Sequence, residues 1–163
     1  MNDATTRDSG VRRVLFVCLG NICRSPTAEG ILNHVAADRG LESLVQADSA
    51  GTISYHNGSP ADPRMRAAAA SRGYELTSIS RLFLEEDFER FDLIVAMDRS
   101  NLSDIRSLAD GPCEHVKLFS DFLPADFPTD VPDPYLGEAG FDRALDIIEE
   151  GCPAILDHLL PED

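Results

Sequence analysis

The sequence predicts an α/β fold, a doubly wound, four-stranded parallel sheet flanked by helices on both faces. Three observations predict it. Short β-branched and aromatic runs alternate with segments of helical apolar spacing. The first run passes through a glycine-containing loop straight into a helix. Finally, 163 residues with 43% hydrophobic content suit one well-buried core better than two. Strands that alternate with helices pair in parallel through right-handed crossovers, which puts helices on both faces of the sheet.

Residues 1 to 10 are polar without an apolar period and read as a disordered tail, so a single domain is expected over residues 11 to 163. Val14 to Cys18 is a buried strand. Ser25 to Arg39 is a helix with Ala28, Ile31, Leu32, Val35 and Ala36 at helical spacing. Leu44 to Ser49 is a second strand, and Gly51 to Pro63 a polar loop. The alanine-rich stretch from Pro63 to Arg72 is a helix stopped by Gly73. A helical turn is expected over Glu85 to Arg90, then a strand over Phe91 to Met97. Asp98 is the N-cap candidate of a helix ending near Leu108. Val116 to Phe119 is the fourth strand. Prolines 124, 128, 132 and 134 make Ser120 to Gly137 a long loop, and loops of that length in compact domains carry function. Phe141 to Leu160 closes the chain as a helix with Ala144, Leu145, Ile148 and Ile155 inward and a bend at Pro153.

The totals exclude several classes. A net charge of −15 argues against nucleic acid and anionic membrane surfaces, which need clustered Lys and Arg. The imbalance is regional: Phe119 to Asp163 holds twelve acidic residues against Arg143 alone, whereas Arg12 to Arg24 holds three arginines and no acid. No apolar run reaches the roughly 20 residues of a membrane span and the N-terminus lacks the order of a signal peptide, so the expected location is cytoplasmic. Cys18, Cys23, Cys113 and Cys152 are expected reduced there. With no Cys-x-x-Cys and with His34, His56, His115 and His158 scattered, no metal and no cofactor is expected.

The stretch VLFVCLGNICRSP, residues 14 to 26, carries the chemistry. By spacing alone, Cys18 is either a small buried hydrophobe at a strand end or a nucleophile six positions before Arg24. The surroundings favour the second. A loop entering a helix N-terminus can wrap an anion with main-chain N–H donors. Gly20 permits close approach, Asn21 tolerates the left-handed region, and Arg24 supplies a planar fork matched to phosphate oxygens. Oriented amides, a helix terminus and a guanidinium together make the setting in which a thiol becomes an attacking group. The Gly-Lys-Ser or Gly-Lys-Thr of an ATP-binding loop is absent.

CLGNICRSPTAEG closely resembles the signature of low-molecular-weight protein tyrosine phosphatases, whose fold has flavodoxin-like layering. The likeness extends to DSAGT at Asp48 to Thr52, to Asp62–Arg64, to FDLIVAMDRSN at Phe91 to Asn101 and to DPYLG at Asp133 to Gly137. The resemblance implies a phosphotyrosine hydrolase working through a phosphocysteine, with Cys18 as nucleophile, Arg24 binding the phosphoryl oxygens and Asp133 as general acid and base. It implies a substrate-binding loop of Leu19, Gly20, Asn21, Ile22, Cys23 and Ser25, with Ser25 also assisting thiolate departure. Tyr55 and Tyr135 become aromatic walls of the pocket, and Leu136 stands where some relatives have a second aromatic. Ser49, Ser78, Arg81 and Asp98 become supporting residues, Ser78 replacing a histidine found in many relatives. Cys23 matches a loop cysteine that can pair with Cys18 under oxidation.

Implied partners are phosphotyrosine-containing proteins and a cognate tyrosine kinase, with the phosphatase a monomer. Three alternatives compete. Arsenate reductases share the loop but need a closely spaced downstream cysteine pair, whereas Cys113 and Cys152 are 39 residues apart. Protein arginine phosphatases carry threonine where this loop has Ile22. A non-catalytic phosphotyrosine-binding module would not need all three of Cys18, Arg24 and Asp133.

Overall fold

In the computed structural model, residues 10–134 and 140–161 are described. The expected N-terminal tail lies almost wholly outside them, as do Tyr135 and Leu136. Four strands, β1 (Arg12–Cys18), β2 (Val45–Gly51), β3 (Leu93–Ala96) and β4 (Val116–Leu118), form one fully parallel sheet in the order β2-β1-β3-β4. Five helices accompany them: α1 (Arg24–Asp38), α2 (Pro63–Ala70), α3 (Asp87–Arg90), α4 (Arg99–Ser107) and α5 (Gly140–Leu159).

Alternation along β1 sorts the two halves of the core. Val14, Phe16 and Cys18 face one side and pack with Ile31 and Leu32 of α1, Met65 of α2 and Leu145 and Ile148 of α5. Leu15 and Val17 face the other and pack with Phe83, Ile94 and Ile105 of α4. All of β1 from Val14 to Val17 is fully buried, the pattern of a parallel strand covered on both faces. The predicted doubly wound sheet is the one found.

Boundaries differ from expectation in small, explicable ways. β1 begins two residues early because Arg12 N–H donates to the Leu44 carbonyl, extending the pairing with β2. β3 is shorter than the run Phe91 to Met97, and Asp92 instead accepts from Arg13 N–H through its carboxylate at 2.8 Å. β4 stops at Leu118 because Phe119–Phe122 turn into a 3₁₀ helix, so the proline-rich stretch starts with ordered structure. α5 runs helically through Pro153. Gly151 lets it close on the sheet, since a Cβ there would stand 2.4 Å from the Phe119 ring.

β1 lies between β2 and β3, and the crossover through α1 and the connections beyond β3 leave on opposite faces. The carboxyl end of β1 is therefore the switch point of the sheet, where ligands gather in such folds. Cys18 is its last residue.

Candidate active site

The loop from Leu19 to Cys23 is held from outside through its carbonyls. Thr52 N–H donates to the Cys18 and Leu19 carbonyls at 3.0 and 2.9 Å, and Asp62 N–H to that of Ile22 at 2.8 Å. Ser80 Oγ donates to the Gly20 carbonyl at 3.1 Å. Carbonyls turned outward leave amides turned inward. None of the N–H groups from Leu19 to Cys23 has a protein acceptor among the described residues. A ring of free donors at the start of α1 is an anion cradle.

Two residue types make that path possible. Asn21 has φ 57°, the one positive value outside glycine among the described residues, and its side chain fixes the strain. Its Oδ1 accepts from Arg81 N–H at 3.0 Å and its Nδ2 donates to Ser25 Oγ at 2.8 Å. Gly20 is needed for closeness rather than for a left-handed angle: a Cβ there would meet the His56 ring at 2.9 Å. Gly51, at the end of β2, has the same duty, with the Leu19 carbonyl 2.8 Å from where its Cβ would stand.

Cys18 Sγ lies 3.0 Å from Ser25 Oγ and is 3% exposed. Arg24 is almost as deeply buried, and its Nη1 donates to Asp98 Oδ2 at 2.7 Å and to the Val131 carbonyl at 2.9 Å. Its Nη2 is 3.6 Å from Asp133 Oδ2, while its buried Nε has no hydrogen-bond partner among the described residues. Burial opposes the guanidinium charge, but Cys18, Asp98 and Asp133 outweigh it and hold Arg24 above its ordinary value. Asp98 works twice, since its Oδ1 caps α4 by accepting from Asn101 N–H at 2.7 Å.

Above the loop is a cavity of about 200 Å³ into which Cys18, Arg24 and Asp133 all open. Leu19, Gly20, Ile22 and Cys23 form its floor and Ile53, Tyr55 and His56 its wall. Tyr55 is 84% exposed and meets His56 edge-on at 4.8 Å, so one ring face is left for a ligand to cover. The side chains of Asn21 and Ser25 are buried behind the cavity, so Asn21 offers the cradle its main-chain N–H rather than its amide group. Burial, with Asp62, Cys18 and Asp133 close by, pushes the Cys23 thiol up to about 12. All four cysteines are free thiols. Among the described residues no group of three His, Cys, Asp or Glu side chains is disposed to hold a metal.

The supporting serines are arranged differently from expectation. Ser49 Oγ donates to Glu29 at 2.6 Å, and Ser78 also donates to Glu29, so both converge on a half-buried carboxyl of α1 rather than on the loop. Burial, opposed by those two bonds and by Arg81, pushes Glu29 up to about 7. The hydroxyl that does reach the loop is that of Ser80. Sequence reasoning missed Ile53, His56, Ser80 and Glu29. Only Glu29 left a signal, an acidic residue in a helix between the inward-facing Ala28 and Ile31.

Comparison with known proteins gives a consistent result. A family model described as low molecular weight phosphotyrosine protein phosphatase matches residues 13–163. The chain is 44% identical over 151 residues to a low molecular weight protein-tyrosine-phosphatase of Streptomyces coelicolor, covering 88% of this chain and 91% of that one. It superposes with a TM-score of 0.86 on a protein tyrosine phosphatase of Entamoeba histolytica crystallised with Hepes in the active site. Identity there is 43%, with 91% and 96% of the two chains covered. It superposes with a TM-score of 0.83 on a Drosophila arginine phosphatase at 35% identity, covering 92% and 99%.

Proposed function

Since the chain belongs to the low molecular weight phosphotyrosine protein phosphatase family, we propose that it hydrolyses phosphotyrosine through a phosphocysteine formed on Cys18. The observation that carries this reading is the meeting of Cys18, Arg24 and Asp133 at one cavity over a ring of unpaired amides.

In the first step the Cys18 sulfur attacks phosphorus. The Sγ–P bond forms, the P–O bond to the phenol breaks, and Asp133 gives the leaving oxygen its proton. In the second, water attacks phosphorus, Asp133 takes a proton from it, and the Sγ–P bond breaks to release inorganic phosphate. The loop amides and the free Nε of Arg24 bind the equatorial oxygens throughout and stabilise the charge that spreads over them. Ser25 faces the sulfur as it leaves. Tyr55, with Tyr135 and Leu136 outside the described residues, flanks the phenyl ring in this reading. A cleft walled by such rings favours phosphotyrosine over the shorter phosphoserine.

The substrates are then phosphotyrosine-containing proteins, and the reaction that supplies them is that of a cognate tyrosine kinase. We place the protein in the cytoplasm as a monomer. Among the described residues no helix is long and apolar enough to cross a membrane.

Arginine phosphatase activity is the second reading, favoured by the likeness to the Drosophila enzyme. Ile22 argues against it, because a branched apolar side chain in the cavity floor suits a phenyl ring better than a guanidinium. The deciding experiment offers a phosphotyrosine peptide and a phosphoarginine peptide under reducing conditions, with rapid acid quench to trap phosphate on Cys18. Faster release from phosphotyrosine, with an adduct absent from Cys18→Ser, is expected. Turnover without an adduct on Cys18 sinks the mechanism, and preference for phosphoarginine sinks the substrate assignment.

A further inference from the structure

Beside the catalytic cavity lies a second hollow, of about 520 Å³, between the end of β2, the segment leading to α3, and the end of α4. Ile53 lines both, so the two hollows adjoin. The floor is apolar and fixed: Phe83 and Ile105 are buried in the core on that side of the sheet. Its flanks are apolar and open, with Ile53 41%, Leu84 41% and Leu108 45% exposed. With Tyr55 of the catalytic wall these make four of the six exposed large hydrophobic residues among the described ones. Scattered exposed hydrophobes are ordinary; this concentration around one mouth is not.

The groove is built rather than loosely formed. Phe83 N–H donates to the Gly51 carbonyl and Gly51 N–H to the Arg81 carbonyl, each at 2.8 Å, tying one flank to the strand that backs the nucleophile loop. Leu84 N–H donates at 2.8 Å to Asp87, which is itself paired with Arg81 at 3.0 Å. An apolar surface held open in this way needs no reorganisation to receive a side chain.

Charge defines the occupant further. The rim carries Glu85 and Asp104, both exposed and, among the described residues, in no ion pair, and the described lining contains no lysine or arginine. The one cation in the neighbouring cavity is Arg24, which faces the phosphate position. Acidic residues flanking a phosphotyrosine would meet repulsion here and basic ones attraction.

We propose that this groove is a docking subsite for the substrate protein, seating an apolar side chain close in sequence to the phosphotyrosine and next to a lysine or arginine. The proposal rests on the phosphatase reading of the adjoining cavity. Phosphotyrosine enters beside Ile53 while the chain that carries it continues over Ile53 into the groove. Apolar contact with Leu84 and Leu108 supplies affinity, and Glu85 with Asp104 supplies the preference for a basic neighbour.

Two phosphotyrosine peptides test it, one with leucine and arginine beside the phosphotyrosine and one with serine and glutamate there. The expected result is a kcat/KM roughly tenfold higher for the first, the scale of one partly buried apolar side chain. L84S and L108S should erase the difference while leaving p-nitrophenyl phosphate turnover unchanged, because neither residue touches the catalytic cavity. The pair E85K and D104K should reverse the charge preference. Equal kcat/KM for the two peptides, or a preference untouched by these variants, overturns the proposal. So does a change in sedimentation coefficient on L84S, which would make the groove a contact between copies of the chain. Should no aryl phosphate be turned over, the phosphatase reading fails separately. Fluorescence-polarisation binding of the same two labelled peptides then decides the docking claim.

Discussion

Ser25 Oγ stands 3.0 Å from Cys18 Sγ while accepting a hydrogen bond from Asn21 Nδ2 at 2.8 Å. With that lone pair occupied, its own proton is free for the sulfur, the Ala50 carbonyl being further off at 3.4 Å. Ser25 therefore favours the sulfur when it carries negative charge, as it does on leaving phosphorus. Ser25→Ala should lower kcat roughly tenfold and raise the fraction of enzyme trapped as phosphocysteine in rapid quench. A lower kcat with less trapped intermediate would assign the serine to the first step instead.

Asp133 lies 3.6 Å from Arg24 at the open side of the cavity. Proton donation matters most where the leaving phenoxide is basic. Asp133→Asn should cost about a hundredfold or more in kcat/KM on phenyl phosphate and only about tenfold on p-nitrophenyl phosphate. Equal losses on both would remove it from the acid role.

Asp98 joins catalysis to folding through its two oxygens. Asp98→Ala loses the α4 cap and should cost about 1 kcal/mol in urea unfolding. Asp98→Asn retains a capping oxygen but removes the charge beside Arg24. It should leave stability nearly unchanged and weaken inhibition by inorganic phosphate several-fold. If the two variants behave alike in both assays, the cap and the ion pair are not separable.

Glu29 is protonated more readily in the folded protein, up to about 7 from an ordinary 4.5, chiefly through burial. Its contribution to stability is thus complete below about pH 4.5 and is lost as pH rises towards 7. Because the carboxyl is only half-buried and solvent screens it, the loss stays below the roughly 3 kcal/mol that the shift would carry in full. Glu29→Gln should flatten the fall of Tm with pH across that window relative to the parent chain. Parallel Tm curves would show that Glu29 ionises in place without penalty.

The Cys23 thiol, pushed up to about 12, stays protonated through the neutral range. Peroxide should therefore oxidise Cys18 first to a sulfenic acid, which Cys23 resolves as a disulfide with release of water. Cys23→Ser should keep p-nitrophenyl phosphate turnover but recover far less activity with dithiothreitol after peroxide than the parent. Identical recovery would leave Cys23 a packing residue.

How much of this was readable in advance depends on whether a residue acts through its neighbours in sequence or in space. Cys18, Gly20, Asn21 and Arg24 were legible because strand, loop and helix follow one another directly, so local order defines the cradle. Asp98 was legible as a cap for the same reason. Asp133 was not, since an acid among twelve in its region has no local mark, and only the likeness of DPY to a known signature singled it out. Ser49 and Ser78 were singled out only by the likeness to a known signature, and their common target, Glu29, lies on a different element and emerges only from the packing of α1 against β2. His56 and Ile53 gave no signal, because a polar loop reveals nothing of which side chains fold back over Gly20. The docking groove joins residues from three separate segments and has no linear pattern.

The hydrogen bond from Arg24 to the Val131 carbonyl spans 107 residues of chain. On a ribosome, which delivers the N-terminus first, Cys18 and its cradle emerge long before Val131 and Asp133 do. The cradle itself waits on Thr52, Asp62, Ser80 and Arg81, and its arginine on Asp98, so for most of its synthesis the nascent chain carries the thiol with neither an ordered anion site nor an acid. Competence arrives only with the end of translation, because the residues after Val131 bring both Asp133 and the helix α5 that closes the core over Phe16 and Cys18.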